Sequence, residues 1–224
     1  MPSRLSRVAA RGEYLFVLVL IVVSYIFCSW QTTASPSEVA LLVQLVTVAV
    51  ILRITGVRAQ VMRVAAWILI LAVLATVVIW ISGSESPGVA IALSAASALA
   101  YFVAPLAIIA HQLRRNIVDL QTLLAAICAY ILLGMFFTFV YNLAALLSSA
   151  PIFGDPQYNT LTSQLFFSFT TLTTTGYGSI VPETSTVQTI AIAEAITGQL
   201  FLVIALARVV TGLVPHRPPP SPEV

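Results

Sequence analysis

The stretch "TLTSQLFFSFTTLTTTGYGSIVP", residues 160–182, opens with apolar residues at helical intervals and ends with hydroxyl side chains and two glycines around one tyrosine. Asn159 or Thr160 can cap a helix at its start, and about 13 residues follow, roughly 20 Å of helix. That is too short to cross a bilayer, which takes about 20 apolar residues. With Leu165, Phe166, Phe167 and Phe169 it is also too apolar to lie in water. A re-entrant half-helix answers both objections, because irregular backbone at membrane depth is tolerated where protein or a water-filled cavity surrounds it. The segment is expected to dip into a membrane as a pore helix over 160–172, turn, and return through the glycines.

The rest of the chain supports a membrane setting. Of its 224 residues 59% are hydrophobic and 8% charged, far from soluble-domain usage. Apolar segments recur at 14–30, 39–52, 64–81, 89–110, 123–140 and 187–210. The second extends to 36–56 if Pro36 starts a helix and Arg53 snorkels. The first follows a basic start and has no small-residue cleavage pattern, which reads as an uncleaved signal anchor. The expected fold is therefore an all-α membrane protein with six transmembrane helices, plus the re-entrant helix and an extended segment.

The charges orient it. All ten basic residues are arginine. Arg4, Arg7 and Arg11 precede the first apolar segment, and Arg53, Arg58 and Arg63 lie between the second and third. Arg114 and Arg115 follow the fourth, and Arg208 and Arg217 end the sixth. Loops 31–38, 82–88 and 141–186 carry none. The positive-inside rule puts both termini in the cytoplasm of a multi-pass protein of the cell membrane, facing membrane lipids.

Composition also excludes functions. Without lysine there is no GxxxxGK phosphate loop and no Schiff-base chemistry. Cys28 and Cys128 lie in apolar runs and read as packing residues. His111 and His216 have no acidic or thiol neighbours at ligand spacing, so no metal site is expected. The net charge of +2 is small and says little about partners; no nucleic acid is expected among them, and nothing points to an enzyme or an organic cofactor. The tail at 214–224, "VPHRPPPSPEV", reads as disordered, with a docking peptide as the alternative.

The polar stretch fits ion passage. An ion leaving water loses its hydration shell, and a ring of backbone carbonyls can replace those oxygens. Glycine tolerates the backbone conformations that turn successive carbonyls the same way. The carbonyls of Thr174, Thr175, Gly176 and Tyr177 are the candidate ligands of a dehydrated cation, with the Thr174 hydroxyl adding oxygens at the inner end. One chain has one such loop, so a closed ring calls for a homotetramer.

"TLTTTGYG", Thr171 to Gly178, resembles the potassium-channel signature TxxTxGYG. Its surroundings resemble the rest of a pore domain over 117–213: an outer helix at 119–147, pore helix 160–172, filter 174–178 and inner helix 187–213. The chain looks like the short bacterial six-helix potassium channels of the voltage-gated-like superfamily that lack a cytosolic regulatory domain. The resemblance implies K+ held at Thr174, Thr175, Gly176 and Tyr177, with Gly178 closing the filter, Thr171 supporting it and Ser179 at the pore mouth. It also implies that residues 1–116 form a four-helix domain resembling a voltage sensor. Such a sensor needs arginines through its fourth helix, each worth about 2.3 kcal/mol per 100 mV, and 89–110 has none. A passive K+-selective conductance without steep voltage gating is expected. A nonselective cation channel and a non-conducting accessory subunit are the alternatives.

Four further positions stand out. Ser179 replaces the usual Asp, removing four negative charges from a tetramer's outer mouth; Asp155 and Glu183 either compensate or are solvated loop residues. Thr175 stands where Val or Ile is common, a near-isosteric exchange. Glu194, an intramembrane carboxyl about 10 Å below the inner helix's outer end, either braces the filter through Ser168 or Thr170 or is a satisfied, protonated side chain with no gating role. Gly198 is either a gating hinge or a close-packing contact.

Overall fold

A computed structural model describes residues 4–30, 38–56, 63, 67, 70, 74, 87–114 and 119–213, and all the regular secondary structure among them is helical. The helices are α1 (Arg4–Ser29), α2 (Glu38–Ile54), α3 (Pro87–Leu113), α4 (Leu120–Leu147), α5 (Leu161–Leu172) and α6 (Ser185–Leu213), with a 3-10 turn at Pro156–Tyr158. Three of them contain stretches long and apolar enough to cross a membrane: Ala90–Leu113, Leu120–Leu147 and Ser185–Val210. Tyr14–Ser29 is a shorter apolar helix. The apolar segment expected at 64–81 lies largely outside the described residues, as does the tail at 214–224.

Local chemistry sets the helix ends. Asp119 caps α4: its Oδ1 accepts Thr122 N at 3.0 Å while Thr122 Oγ1 accepts Asp119 N, a reciprocal capping box. Thr160 caps α5 by accepting Ser163 N, so the half-helix begins at Leu161 and Thr160 stands outside it. Thr184 Oγ1 accepts Val187 N, which starts α6 at Ser185, two residues before the expected 187. At 12 residues α5 is about 18 Å long and cannot span a bilayer.

Side-chain pairs give the helix directions. Tyr130 meets Phe201 (ring centroids 5.6 Å) and Tyr141 meets Glu194, so α4 and α6 run antiparallel. Asn142 Nδ2 donates to Ser94 Oγ and Phe136 packs on Phe102, so α3 and α4 are antiparallel too. Ser94 Oγ also reaches Phe139 O and Tyr101 stacks on Phe139 at 5.6 Å, so these side chains fix α3 to α4.

The main core is continuous across position 116. Tyr14, Val17 and Ile21 of α1, Ile51 and Leu52 of α2, and Tyr101 and Ile108 of α3 join Leu132 of α4 and Leu161 of α5 in one buried cluster. Tyr25 of α1 sets its ring edge-on to Phe169 of α5 at 5.3 Å, and Thr162 donates to Ser29 O. A second cluster, around Tyr141, Phe153 and Phe167, lies under the 148–160 loop. Both cysteines are buried, and the Cys128 thiol donates to Tyr14 O at 3.7 Å, in keeping with packing roles.

Candidate functional site

The extended stretch after α5 is shaped by its amides. Thr174 N donates to Thr171 O, and Thr175 N and Gly176 N both donate to Thr170 O, at 2.8 and 3.1 Å. Peptide groups here are trans, so each carbonyl points opposite to the N–H that follows it. The carbonyls of Thr174 and Thr175 are therefore turned away from α5. Positive φ angles occur at every second residue, Thr174 (57°), Gly176 (54°) and Gly178 (75°). Gly176 and Gly178 adopt this region without strain; Thr174, β-branched, is an outlier that the surrounding structure must impose.

Hydroxyl groups anchor the stretch further. Thr173 Oγ1 donates to Phe169 O at 2.6 Å, which commits its hydrogen, so Thr175 Oγ1 is the donor in the 2.8 Å contact between the two hydroxyls. Thr175 keeps the β-branched shape of a valine or isoleucine and adds a hydroxyl bond to Thr173 that neither could make. Thr173 was not singled out from the sequence, where it reads as one of a run of threonines. Thr171 is half-buried and its carbonyl accepts the amides of Thr173 and Thr174. Tyr177 is 71% exposed and stacks on Phe166 at 5.7 Å. Ser179 is exposed.

Behind this stretch a buried cluster joins three helices. Glu194 of α6 has no exposed surface. Its Oε1 accepts Ser168 Oγ of α5 and its Oε2 accepts Tyr141 OH of α4, both at 2.6 Å. Ser168 Oγ also approaches Gly134 O at 2.8 Å, a carbonyl that Thr138 serves as well. The Ser168 contact matches the sequence reading; the Thr170 contact does not, since Thr170 Oγ1 donates to Phe167 O in its own helix. Tyr141, missed entirely, lies 53 residues away on another apolar helix. Because α6 starts at Ser185, Glu194 sits about 14 Å from its N-terminal end rather than 10 Å.

Two glycines allow the helices to close on the site. A Cβ on Gly198 would lie 2.6 Å from Leu172 O, so α6 passes directly against the end of α5. Helix α6 continues unbroken through this position, where the contact leaves no room for a side chain. A Cβ on Gly134 would lie 2.7 Å from the Phe169 ring. Tyr130 OH donates to Leu172 O, tying α4 to the same turn of α5. Next to Gly198, Gln199 Nε2 reaches Thr174 Oγ1 at 3.4 Å, a contact from α6 to the start of the stretch that the sequence did not suggest.

The segments flanking α5 at 148–160 and 179–184 bond largely to one another. Asp155 Oδ1 and Oδ2 accept Gln157 N and Nε2, Glu183 N donates to Ile152 O, and the Glu183 carboxyl lies against Gly154. Among the described residues no group of His, Cys, Asp and Glu could hold a metal ion. His111 Nδ1 faces Thr55 O at 3.1 Å, which joins the ends of α2 and α3.

Residues 125–214 match a family model described as "Ion channel". The match runs from within α4 past the end of α6, and so includes α5 and the stretch after it. No curated protein and no solved structure matches the chain. With the apolar helices, the match supports a membrane protein whose second half is of ion-channel type, a transport function rather than an enzymatic one.

Proposed function

We propose that the chain is one subunit of a homotetrameric, potassium-selective channel of the six-helix type, in which Thr174–Gly178 from four copies form the filter. The observation that carries this reading is the backbone after α5. Its amides are turned into α5, two carbonyls are turned away from it, and alternate residues have positive φ. Four such strands around an axis would present stacked carbonyl rings, and K+ would exchange its hydration shell for them. The C-terminal end of α5, with its partial negative charge, lies at the inner end of the stretch and favours a cation there.

The tetramer is supported by what one chain leaves uncovered. Half of the apolar stretch is buried in α3 and in α4, against 11% in α6. The residues from Thr173 to Ser179 are all exposed. A fourfold assembly would cover α6 and enclose the filter.

Six spans and cytoplasmic termini are supported by the arginine placement. Weak voltage dependence follows from the lack of arginine in α3 before Arg114 and from the contacts that fix α3 to α4. Selectivity survives the serine at position 179, because the carbonyls are intact.

Flux from liposomes containing the purified chain tests the proposal. Potassium efflux much faster than sodium efflux is the expected result. Equal rates for both ions, or no flux, would refute it.

A further inference from the structure

With Glu194 ionised, the buried cluster around it is one hydrogen short. Ser168 Oγ lies 2.6 Å from Glu194 Oε1 and 2.8 Å from Gly134 O. A carboxylate oxygen and a carbonyl oxygen are both acceptors, and a serine hydroxyl carries a single hydrogen. The neighbouring hydroxyls cannot make up the shortfall. Thr138 Oγ1 commits its hydrogen to Gly134 O at 2.8 Å, and Tyr141 OH commits its own to Glu194 Oε2 at 2.6 Å. Glu194, Ser168, Thr138 and Tyr141 have no exposed surface within one chain, so neither solvent nor a second copy reaches them to supply a donor.

A hydrogen on the carboxyl closes the count. We propose that Glu194 is held as the neutral acid, that its Oε1–H donates to Ser168 Oγ, and that Ser168 turns its own hydrogen to Gly134 O. Each of the four short contacts then carries one hydrogen. No cation opposes this state. The titratable groups that α4 brings to Glu194 are Tyr141 and Tyr130, the latter committed to Leu172 O. Helix α5 contains none, and Arg208 of α6 lies about 21 Å further along the helix. Protonation and bracing, alternatives in the sequence, become one arrangement: a proton-dependent clasp. Loss of the proton makes Ser168 the donor to Glu194, and the bond from α5 to Gly134 O of α4 is given up. This rests on the packing of α4, α5 and α6 and not on potassium conduction.

Infrared spectroscopy of the full purified chain at neutral pH tests it. A carboxylic-acid C=O band is expected in the wild type and absent from Glu194→Gln. Tyr141→Phe, which frees Oε2, the carbonyl oxygen of the neutral acid, should shift the band to higher wavenumber, and this shift decides if Glu194→Gln fails to fold. Mild alkalinisation should lower the melting temperature of the wild type more than that of Glu194→Gln, whose amide offers an N–H to Ser168 and a carbonyl to Tyr141 at any pH. No acid band in the wild type, a band that survives in Glu194→Gln, an unmoved band in Tyr141→Phe, or equal responses to alkali would overturn the proposal. These readouts are independent of ion flux, so a failed potassium assay leaves the test intact.

Discussion

Glu194 is a carboxyl with no exposed surface, held by one hydroxyl from α4 and one from α5. Removing it without replacing its acceptors strands both partners. Glu194→Leu should therefore cost more than Glu194→Gln, and Tyr141→Phe, which removes one donor, should cost about 1–3 kcal/mol. Thermal unfolding of the assembled protein ranks the three variants. A structural role alone would leave conduction per folded channel unchanged, whereas a brace behind the filter predicts reduced potassium flux at equal folded fraction. Thr175→Val should likewise lower flux while sparing the K+/Na+ ratio, because its hydroxyl anchors the proposed filter and its carbonyl remains. A wild-type flux in Thr175→Val would show that the hydroxyl chain to Phe169 O does nothing for conduction. Glu194 was legible in the sequence as an acidic residue in an apolar run, and Ser168 from its depth. Tyr141 was not, because a tyrosine in a helix apolar on all sides carries no sign of the face it presents.

At the scale of elements, α5 is gripped by glycines on both sides. Gly134 of α4 admits the Phe169 ring and Gly198 of α6 admits the Leu172 carbonyl. Gly134→Ala meets a side chain, which can be trimmed; Gly198→Ala meets backbone, which cannot. Gly134→Ala alone should destabilise by about 1–3 kcal/mol and be partly rescued by Phe169→Leu, a coupling that a double-mutant cycle measures. Gly198→Ala should lower the melting temperature with no such rescue. If it melted as wild type and changed only open probability, the hinge would be the better account. The half-helix and extended return were legible because length and hydropathy conflict within one short segment. The start of α6 was placed two residues late because the Thr184 cap and the helix's first turn precede its apolar run. How α1, α2 and α3 meet the pore half was not legible at all. Helices apolar around their whole circumference have no period from which to read a packing face.

For the whole molecule, the single core running from α1 through α5 makes the N-terminal helices part of the framework around the proposed pore. With no arginine in α3 before Arg114, open probability should change only gradually with voltage, and a steep multi-charge activation curve would contradict that part of the account. Selectivity by carbonyl rings shows itself in the reversal potential. The purified protein is placed in a planar bilayer with a tenfold K+ gradient, Na+ balancing the total cation concentration on the two sides. Reversal close to the potassium potential, about 59 mV in magnitude, is the expected result. Reversal at zero would mean that sodium passes as readily as potassium, and the filter reading of Thr174–Gly178 would be wrong.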